Sequence, residues 1–175
     1  LGFRGEALPS IAAVGRLVIE TWDGRSPSGT KMVLDGGRLV SVEPCGRGRG
    51  TTASLEGIFR KVPARRKFLR TRATEAAWCV SAVEDAALAN LHAAFTVHAD
   101  ADTVLGMPPV SSLLDRVAVL WGVDAAEKLI PLNYEGKGIS LHGLVSPPTE
   151  TYSRRLRHRV MVNGRVVAGD EEETT

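Results

Sequence analysis

A glycine-centred pattern near the start of the chain constrains its fold most. The stretch TKMVLDGGRLVSVEP, residues 30–44, places two apolar runs on either side of Asp35-Gly36-Gly37. Because glycine adopts the positive φ angles of a tight turn at little cost, the pattern predicts a β-hairpin. The flanking runs RLVIETW and TTASLEGIF are also rich in strand-forming residues. We therefore predict a run of antiparallel strands over residues 16–59.

A helix pattern comes before these strands. Residues 5–14, GEALPSIAAV, carry apolar side chains at helical spacing. Glu6 is expected in the first turn, where a carboxylate favours the helix dipole, and Gly15 is expected to end the helix. The first third of the chain is thus predicted to be a helix followed by an antiparallel sheet.

The secondary-structure pattern changes at Pro63. The chain before it is predicted to be mainly strands, whereas the rest alternates between helix and strand patterns. We predict a helix over residues 74–92 with Thr74 as its N-cap, and a second over 113–121 ended by Gly122. The other predicted strands are AFTVHA with ADTVLGM as its hairpin partner, two strands around residues 135–138, and a final strand segment in HRVMVNGRVV. Within that last segment, Asn163-Gly164 suits a tight hairpin turn between apolar residues. The predicted fold class is α/β, built as α+β sandwiches in two parts, residues 1–63 and 64–175.

Composition excludes several classes of protein. The chain is 43% hydrophobic with a formal net charge of +2, which is ordinary for a soluble globular protein, and no apolar run is long enough to span a membrane. Its two cysteines and four histidines lack the spacing of metal ligands. We therefore expect neither a disulfide scaffold nor a zinc site, and we expect a reducing compartment.

Positive charge is unevenly distributed. Residues 60–72, RKVPARRKFLRTR, hold seven basic residues and no acid, and residues 154–165 hold five more arginines and no acid. Such blocks are typical of a surface that faces a polyanion or bound phosphate. The alternative is a solvated surface without a partner. A second candidate site lies at Gly2 and Gly5, where a loop running into a helix either approaches a phosphate closely or forms an ordinary turn.

The order of four motifs resembles the MutL family of DNA mismatch repair proteins. These are FRGEAL at residues 3–8, GTT at 50–52, PARRKFL at 63–69 and VNGR at 162–165. The family belongs to the GHKL ATPases, whose relatives include type II topoisomerases and chaperones. The resemblance implies the C-terminal part of a GHKL (Bergerat) ATP-binding domain over 1–63, and a ribosomal-protein-like transducer domain, incomplete at its C-terminus, over 64–175.

The resemblance also implies site residues. The lid that wraps the triphosphate of ATP, together with a threonine near the adenine pocket, would comprise Gly2, Phe3, Arg4, Gly5, Glu6, Ala7, Leu8 and Thr51. Contacts to DNA phosphates without sequence preference are expected from Arg65, Arg66, Lys67, Arg154, Arg155, Arg157 and Arg165. ATP and Mg²⁺ are the implied cofactors of the complete protein.

The implied function is a molecular switch that dimerises on binding ATP, binds DNA and couples a MutS-type mismatch recognition protein to repair in the cytoplasm, with no membrane partner. The family's catalytic glutamate, its magnesium-binding asparagine, its Asp-x-Gly-x-Gly motif and its transducer lysine have no counterpart here. We therefore expect an internal piece of a longer ATPase with no catalytic residue of its own. Release of phosphate from ATP is not expected from this chain alone.

Two departures from the family pattern leave alternatives open. Arg60-Lys61-Val62-Pro63 stands where the family usually has Asn-x-Pro, and AGDEEETT follows the last strand instead of an aspartate and a long helix. Two rival hypotheses therefore stay open. One is a basic nucleic-acid-binding module without a nucleotide role, and the other is a structural interaction domain.

Overall fold

The computed structural model describes residues 5–150 and 158–167. The chain forms two compact units, one ending at Arg70 and the other beginning at Thr71. This division lies a few residues beyond the expected boundary at residue 63, and the assignment of the units to two named domains stays a prediction. Among the described residues, no helix combines the length and the apolar character needed to cross a membrane.

Unit 1 is an antiparallel sheet with a short helix at each end of its chain segment. Its elements are α1 (Ala7–Ala13), β1 (Arg16–Trp22), β2 (Gly29–Asp35), β3 (Arg38–Cys45), β4 (Gly50–Glu56) and α2 (Pro63–Arg66). The strands lie in the order β3-β2-β1-β4, and the predicted hairpin between β2 and β3 is confirmed. β4 ends at Glu56 instead of running to residue 59, because Gly57 and Phe59 both take positive φ angles in a turn.

The core of unit 1 forms on one face of this sheet. Alternation along β1 places Leu17 and Ile19 on the same face. Their partners across β2 are Leu34 and Met32, which pack against them. Ala12 of α1 is fully buried against this cluster, so α1 lies on the apolar face of the sheet.

Gly15 follows α1 for a reason that differs from the expected one. Its φ is not left-handed, and the helix ends at Val14 in an αR conformation. A Cβ at Gly15 would lie 2.8 Å from Leu55 Cδ1 and 2.9 Å from the Glu56 carbonyl oxygen. Glycine is therefore required because the chain passes close to the backbone of β4.

The described part of unit 2 combines helices with three two-stranded antiparallel sheets. Its elements are α3 (Arg72–Ala89), β5 (Phe95–Ala99), β6 (Asp102–Met107), α4 (Leu113–Trp121), α5 (Val123–Glu127), β7 (Ile130–Gly136), β8 (Ile139–Val145), β9 (Val160–Val162) and β10 (Arg165–Val167). The mixed α/β class with antiparallel sheets is confirmed. The predicted hairpins β5–β6 and β7–β8 are also confirmed.

Two details of unit 2 differ from the sequence predictions. The N-cap of α3 is Thr71, whose Oγ1 accepts a hydrogen bond from the Thr74 amide at 3.2 Å, so Thr74 lies inside the helix. α5 has no counterpart in the sequence predictions, because its five residues are too few to show a helical period. The tight turn predicted at Asn163-Gly164 is confirmed, since both residues have positive φ and join β9 to β10.

A fully buried arginine organises the loops of unit 2. The core contains Leu88, Val117 and Ala126, and Arg116 beside it is 0% exposed. Its guanidinium donates to the carbonyl of Pro108 at 2.8 Å, and to those of Leu91 and Ala93 at 3.0 and 2.9 Å. Arg116 Nε has no partner among the described residues. The side chain thus connects α4 to the segments before β5 and after β6.

Candidate nucleotide and nucleic-acid sites

Gly5 is the first residue of the predicted lid that the structure describes. Gly2, Phe3 and Arg4 lie outside the described residues. Gly5 is exposed with φ +65°, and no atom of the described residues lies within 4 Å of the position that a Cβ would take. A side chain here would be strained by the backbone conformation alone. This backbone conformation is therefore one that glycine favours.

α1 begins directly after this glycine. Glu6 is the N-cap instead of a first-turn residue, and its side chain makes no capping hydrogen bond. The Glu6 carbonyl accepts from the Ser10 amide at 3.0 Å. Ala7 and Leu8 form the exposed first turn, while the buried side of the helix begins further along at Ala12. The described lid residues are thus solvent-facing.

Thr51 lies on β4, directly opposite Thr21 of β1. The two hydroxyl oxygens are 2.7 Å apart, and Thr21 Oγ1 also donates to the Gly50 carbonyl at 3.4 Å. Both threonines are exposed. Among the described residues, no hydrogen bond joins Thr51 to residues 5–8. The fold therefore pairs Thr51 with Thr21, a partner that the sequence did not reveal.

The glycine-rich loop before Thr51 is held by an arginine. Arg47 Nη1 donates to the Glu20 carbonyl of β1, and Arg47 Nε donates to the Gly48 carbonyl at 2.9 Å. The glycine-rich composition of GRGRG, residues 46–50, by itself is typical of a flexible connector. These contacts fix the loop to β1 immediately before Thr51.

The turn between β4 and α2 contains Arg60 and Lys61, which depart from the Asn-x-Pro pattern of the family. Both side chains form ion pairs with Asp35. Arg60 Nη2 lies 2.5 Å from Asp35 Oδ1, and Lys61 Nζ lies 2.9 Å from Asp35 Oδ2. The hydrogen bonds from Lys61 and Arg60 hold the pKa of Asp35 below its ordinary value. Because the folded-state pKa of Asp35 is lowered, its ion pairs contribute stability that is fully present above the ordinary aspartate pKa of about 3.9 and is lost as the pH falls through the lower folded-state value.

The basic residues in and directly after α2 differ from Arg60 and Lys61 in their side-chain contacts. Arg65, Arg66 and Lys67 are exposed, and no hydrogen-bond or ion-pair partner of their side chains lies in the described part of the chain. Phe68, the next residue, is 80% exposed. Three neighbouring exposed cations form an arrangement that favours contacts to phosphate groups.

The second predicted basic block is only partly described. Arg154, Arg155 and Arg157 lie outside the described residues. Arg165 is exposed at the start of β10, where it pairs with Val162. Arg159, which was not predicted as a site residue, forms an ion pair with Asp85 and donates to Ser81 Oγ at 3.1 Å. Arg159 therefore has a structural role in holding the β9–β10 hairpin to α3.

No group of three or more histidine, cysteine, aspartate or glutamate side chains within 5–150 and 158–167 is placed to hold a metal ion. Mg²⁺ at a nucleotide site is held by one or two protein ligands together with phosphate oxygens and waters, and such a site does not require a group of this kind. Cys45 and Cys79 are both free thiols.

Comparison with known proteins identifies the family. DNA mismatch repair protein MutL of Opitutus terrae is 40% identical over 166 residues, which is 95% of this chain, and MutL of Acidiphilium cryptum is 39% identical over 167 residues. The chain belongs to the MutL family. It spans about a quarter of the length of these relatives, 26% and 28% respectively. None of the family models compared with the chain matches it.

Solved structures agree with the MutL assignment. The Aquifex aeolicus MutL ATPase domain complexed with ADP superposes with a TM-score of 0.76 at 26% identity, covering 94% of this chain and 63% of that domain. The N-terminal domain of a DNA repair protein gives a TM-score of 0.78 at 22% identity, covering 95% of this chain and 56% of that one, and shows the fold alone. The fold of this chain thus corresponds to part of the MutL ATPase domain.

Proposed function

We propose that this MutL chain contributes the lid side and the DNA-facing junction of an ATP-dependent mismatch repair switch. The observation that carries the proposal is the match of 94% of the chain to a MutL ATPase domain complexed with ADP. Residues 1–63 would belong to the ATP-binding domain and residues 64–175 to the transducer. Binding of ATP would order the lid and favour dimerisation, and hydrolysis would reverse both, as an order–disorder switch.

The nucleotide would contact the chain at two places. Residues 2–8 would wrap the triphosphate with backbone amides, for which the open, left-handed Gly5 is suited. Thr51 would lie on the adenine side, with its hydroxyl oriented by Thr21. The protein ligand of Mg²⁺ would come from the remainder of the ATPase, since the family's magnesium-binding asparagine has no counterpart in this chain.

A graft tests the nucleotide role. Residues 1–175 replace the matched part of the Aquifex aeolicus MutL ATPase domain, and ADP binding to this chimera is measured by calorimetry. We expect the chimera to bind ADP, and Thr51→Val to weaken binding about two- to tenfold through loss of one hydrogen bond. The isolated 175-residue chain should release no phosphate from ATP.

Thr52→Val is the matched control for the graft. Thr52 is the neighbour of Thr51 on β4 but pairs with Glu20 on the opposite face of the sheet. Its substitution should leave ADP binding unchanged. A folded chimera that binds no ADP would reject the nucleotide role. Equal effects of the two substitutions would reject Thr51 as the contact on the adenine side.

DNA is the second proposed ligand, and the exposed cations of α2 support it. Replacing Arg65, Arg66 and Lys67 with glutamine should weaken binding of a short duplex and reduce the slope of log affinity against log salt by up to about 3, since each phosphate contact contributes about 0.9. Fluorescence anisotropy of a labelled duplex at several salt concentrations measures both quantities.

A control with the same change in charge distinguishes the loss of direct phosphate contacts from the general effect of a lower net positive charge. Arg16, Lys31 and Lys128 already form ion pairs with carboxylates, so their replacement by glutamine should change the slope much less. Equal slopes for the two triple variants would reject α2 as the contact surface. Absence of DNA binding by the unmodified chain at low salt would favour the structural interaction domain.

The basic module without a nucleotide role remains the second candidate function, because α2 presents its cations independently of Gly5 and Thr51. In the chimera, DNA affinity that is insensitive to ADP and ATP would favour it. Recruitment by a MutS-type protein is proposed from family membership, and the role requires access to chromosomal DNA and hence a cytoplasmic location.

A further inference from the structure

The C-terminal end of α1 is held by two separate turns of unit 1. The Gly37 amide of the β2–β3 turn donates to the Ala12 carbonyl at 2.8 Å. The Phe59 amide of the turn after β4 donates to the Val14 carbonyl at 2.7 Å. These bonds satisfy carbonyls that a helix end leaves without intrahelical partners. The end of α1 therefore depends on the positions of both turns.

Asp35 connects the same two turns to each other. It ends β2 immediately before the glycines of the first turn, and its two carboxylate oxygens hold Arg60 and Lys61 of the second. The Lys61 stem also lies over Gly36, where an added Cβ would be 3.3 Å from Lys61 Cδ. One carboxylate thus fixes the spacing between the two groups that anchor α1.

The second turn continues directly into the basic helix α2. The Val62 amide donates to the Phe59 carbonyl at 3.0 Å, and the Arg66 amide donates to the Val62 carbonyl at 3.1 Å. Phe59 therefore contacts α1 through its amide and the start of α2 through its carbonyl. Continuous hydrogen bonds run from the last turn of α1 to Arg66.

We propose that Asp35 is a positioning residue that couples α1 to α2, so that a shift of either helix is transmitted through the two turns to the other. The proposal rests on the proposed function, in which α1 follows the ATP lid and α2 contacts DNA. It assigns the departure Arg60-Lys61 a role within unit 1. Arg60 and Lys61 hold the two turns together through Asp35. Arg65, Arg66 and Lys67 are then the cations that would contact DNA.

Hydrogen exchange of the full 175-residue chain without ligand is the first test. Asp35→Asn should accelerate exchange of the Gly37 and Phe59 amides by roughly fivefold, about the contribution of one hydrogen bond, and leave the amides between β1 and β2 unchanged. Arg60→Gln with Lys61→Gln should reproduce this pattern from the other side of the contact. Lys31→Gln, which breaks the β2 ion pair with Glu20, should not.

Binding of a 20-nucleotide DNA duplex is the second test. DNA should slow exchange of the Gly37 and Phe59 amides in the unmodified chain and in Lys31→Gln. In Asp35→Asn this protection should be lost, although DNA affinity should be equal or higher because Arg60 and Lys61 are released. The affinity titration reports the proposed DNA role separately from the exchange at α1.

Three outcomes would overturn the coupling. These are unchanged Gly37 and Phe59 exchange in Asp35→Asn, a uniform acceleration across the whole sheet, and DNA binding without protection of these two amides in the unmodified chain. Failure of the unmodified chain to bind DNA would instead reject the proposed DNA role, and the ligand-free exchange would still decide whether Asp35 joins the turns.

Discussion

Arg116→Met should destabilise unit 2 by about 3–6 kcal/mol, because the carbonyls of Pro108 and Ala93 each lose a hydrogen bond from a charged group, which contributes about 1.5–3 kcal/mol. The Leu91 carbonyl also loses the guanidinium but keeps the Val110 amide as a donor. Methionine has a similar length and fills the site without restoring these hydrogen bonds. Urea unfolding followed by tryptophan fluorescence measures the effect, since Trp121 packs against the adjacent core.

Arg72→Met provides the matched control for this prediction. Arg72 forms an exposed ion pair with Asp100, and such pairs contribute about 0–1 kcal/mol. The same substitution there should shift the urea midpoint little. Arg116→Lys should fall between the two, because an ammonium group replaces part of the donor set. If Arg116→Met unfolds at the same urea concentration as Arg72→Met, the guanidinium does not hold the loops of unit 2.

Leu17→Ala should destabilise unit 1 by about 2–5 kcal/mol, the range for truncating a fully buried leucine. Leu17 is 2% exposed and lies at the centre of a small core formed with Ala12 and Ile19. With so few buried residues, the sheet has little other apolar contact to compensate. Urea unfolding monitored at Trp22, on the same strand, measures the loss.

Leu39→Ala is the corresponding control, since Leu39 lies on the edge strand β3 and is 60% exposed. Its truncation should change the free energy of unfolding by less than about 1 kcal/mol. Comparable losses from the two leucine substitutions would mean that the stability of unit 1 does not come from the cluster under α1.

Several parts of the fold could be predicted because they depend on near neighbours in the chain. The β2–β3 turn at Gly36-Gly37 and the end of α4 at Gly122 require positive φ, and glycine marks both positions. The alternating pattern of RLVIETW indicated the strand β1, because side chains two residues apart share a face. The motifs FRGEAL and PARRKFL indicated the MutL family because each is a short contiguous run that can be recognised without the fold.

The site was predicted less completely, because its side-chain partners are distant in sequence. Thr51 was identified from its motif, but its partner Thr21 precedes it by an entire hairpin. Asp35 carried no local signal, and only the fold brings it to Arg60 and Lys61. The N-cap of α3 was misplaced by one turn, because Thr71 and Thr74 are equally suitable by residue type.

The sequence by itself determined the family of this protein, the order of its strands and of its helices other than α5, and the positions of most of its turns, because these are encoded in contiguous patterns and backbone preferences. Only the tertiary structure decided why Gly15 must be glycine, why Arg116 is tolerated in a core, and which cations of residues 60–72 are already paired. Each of these depends on atoms brought together by folding from separate parts of the chain, and no local pattern records such a contact.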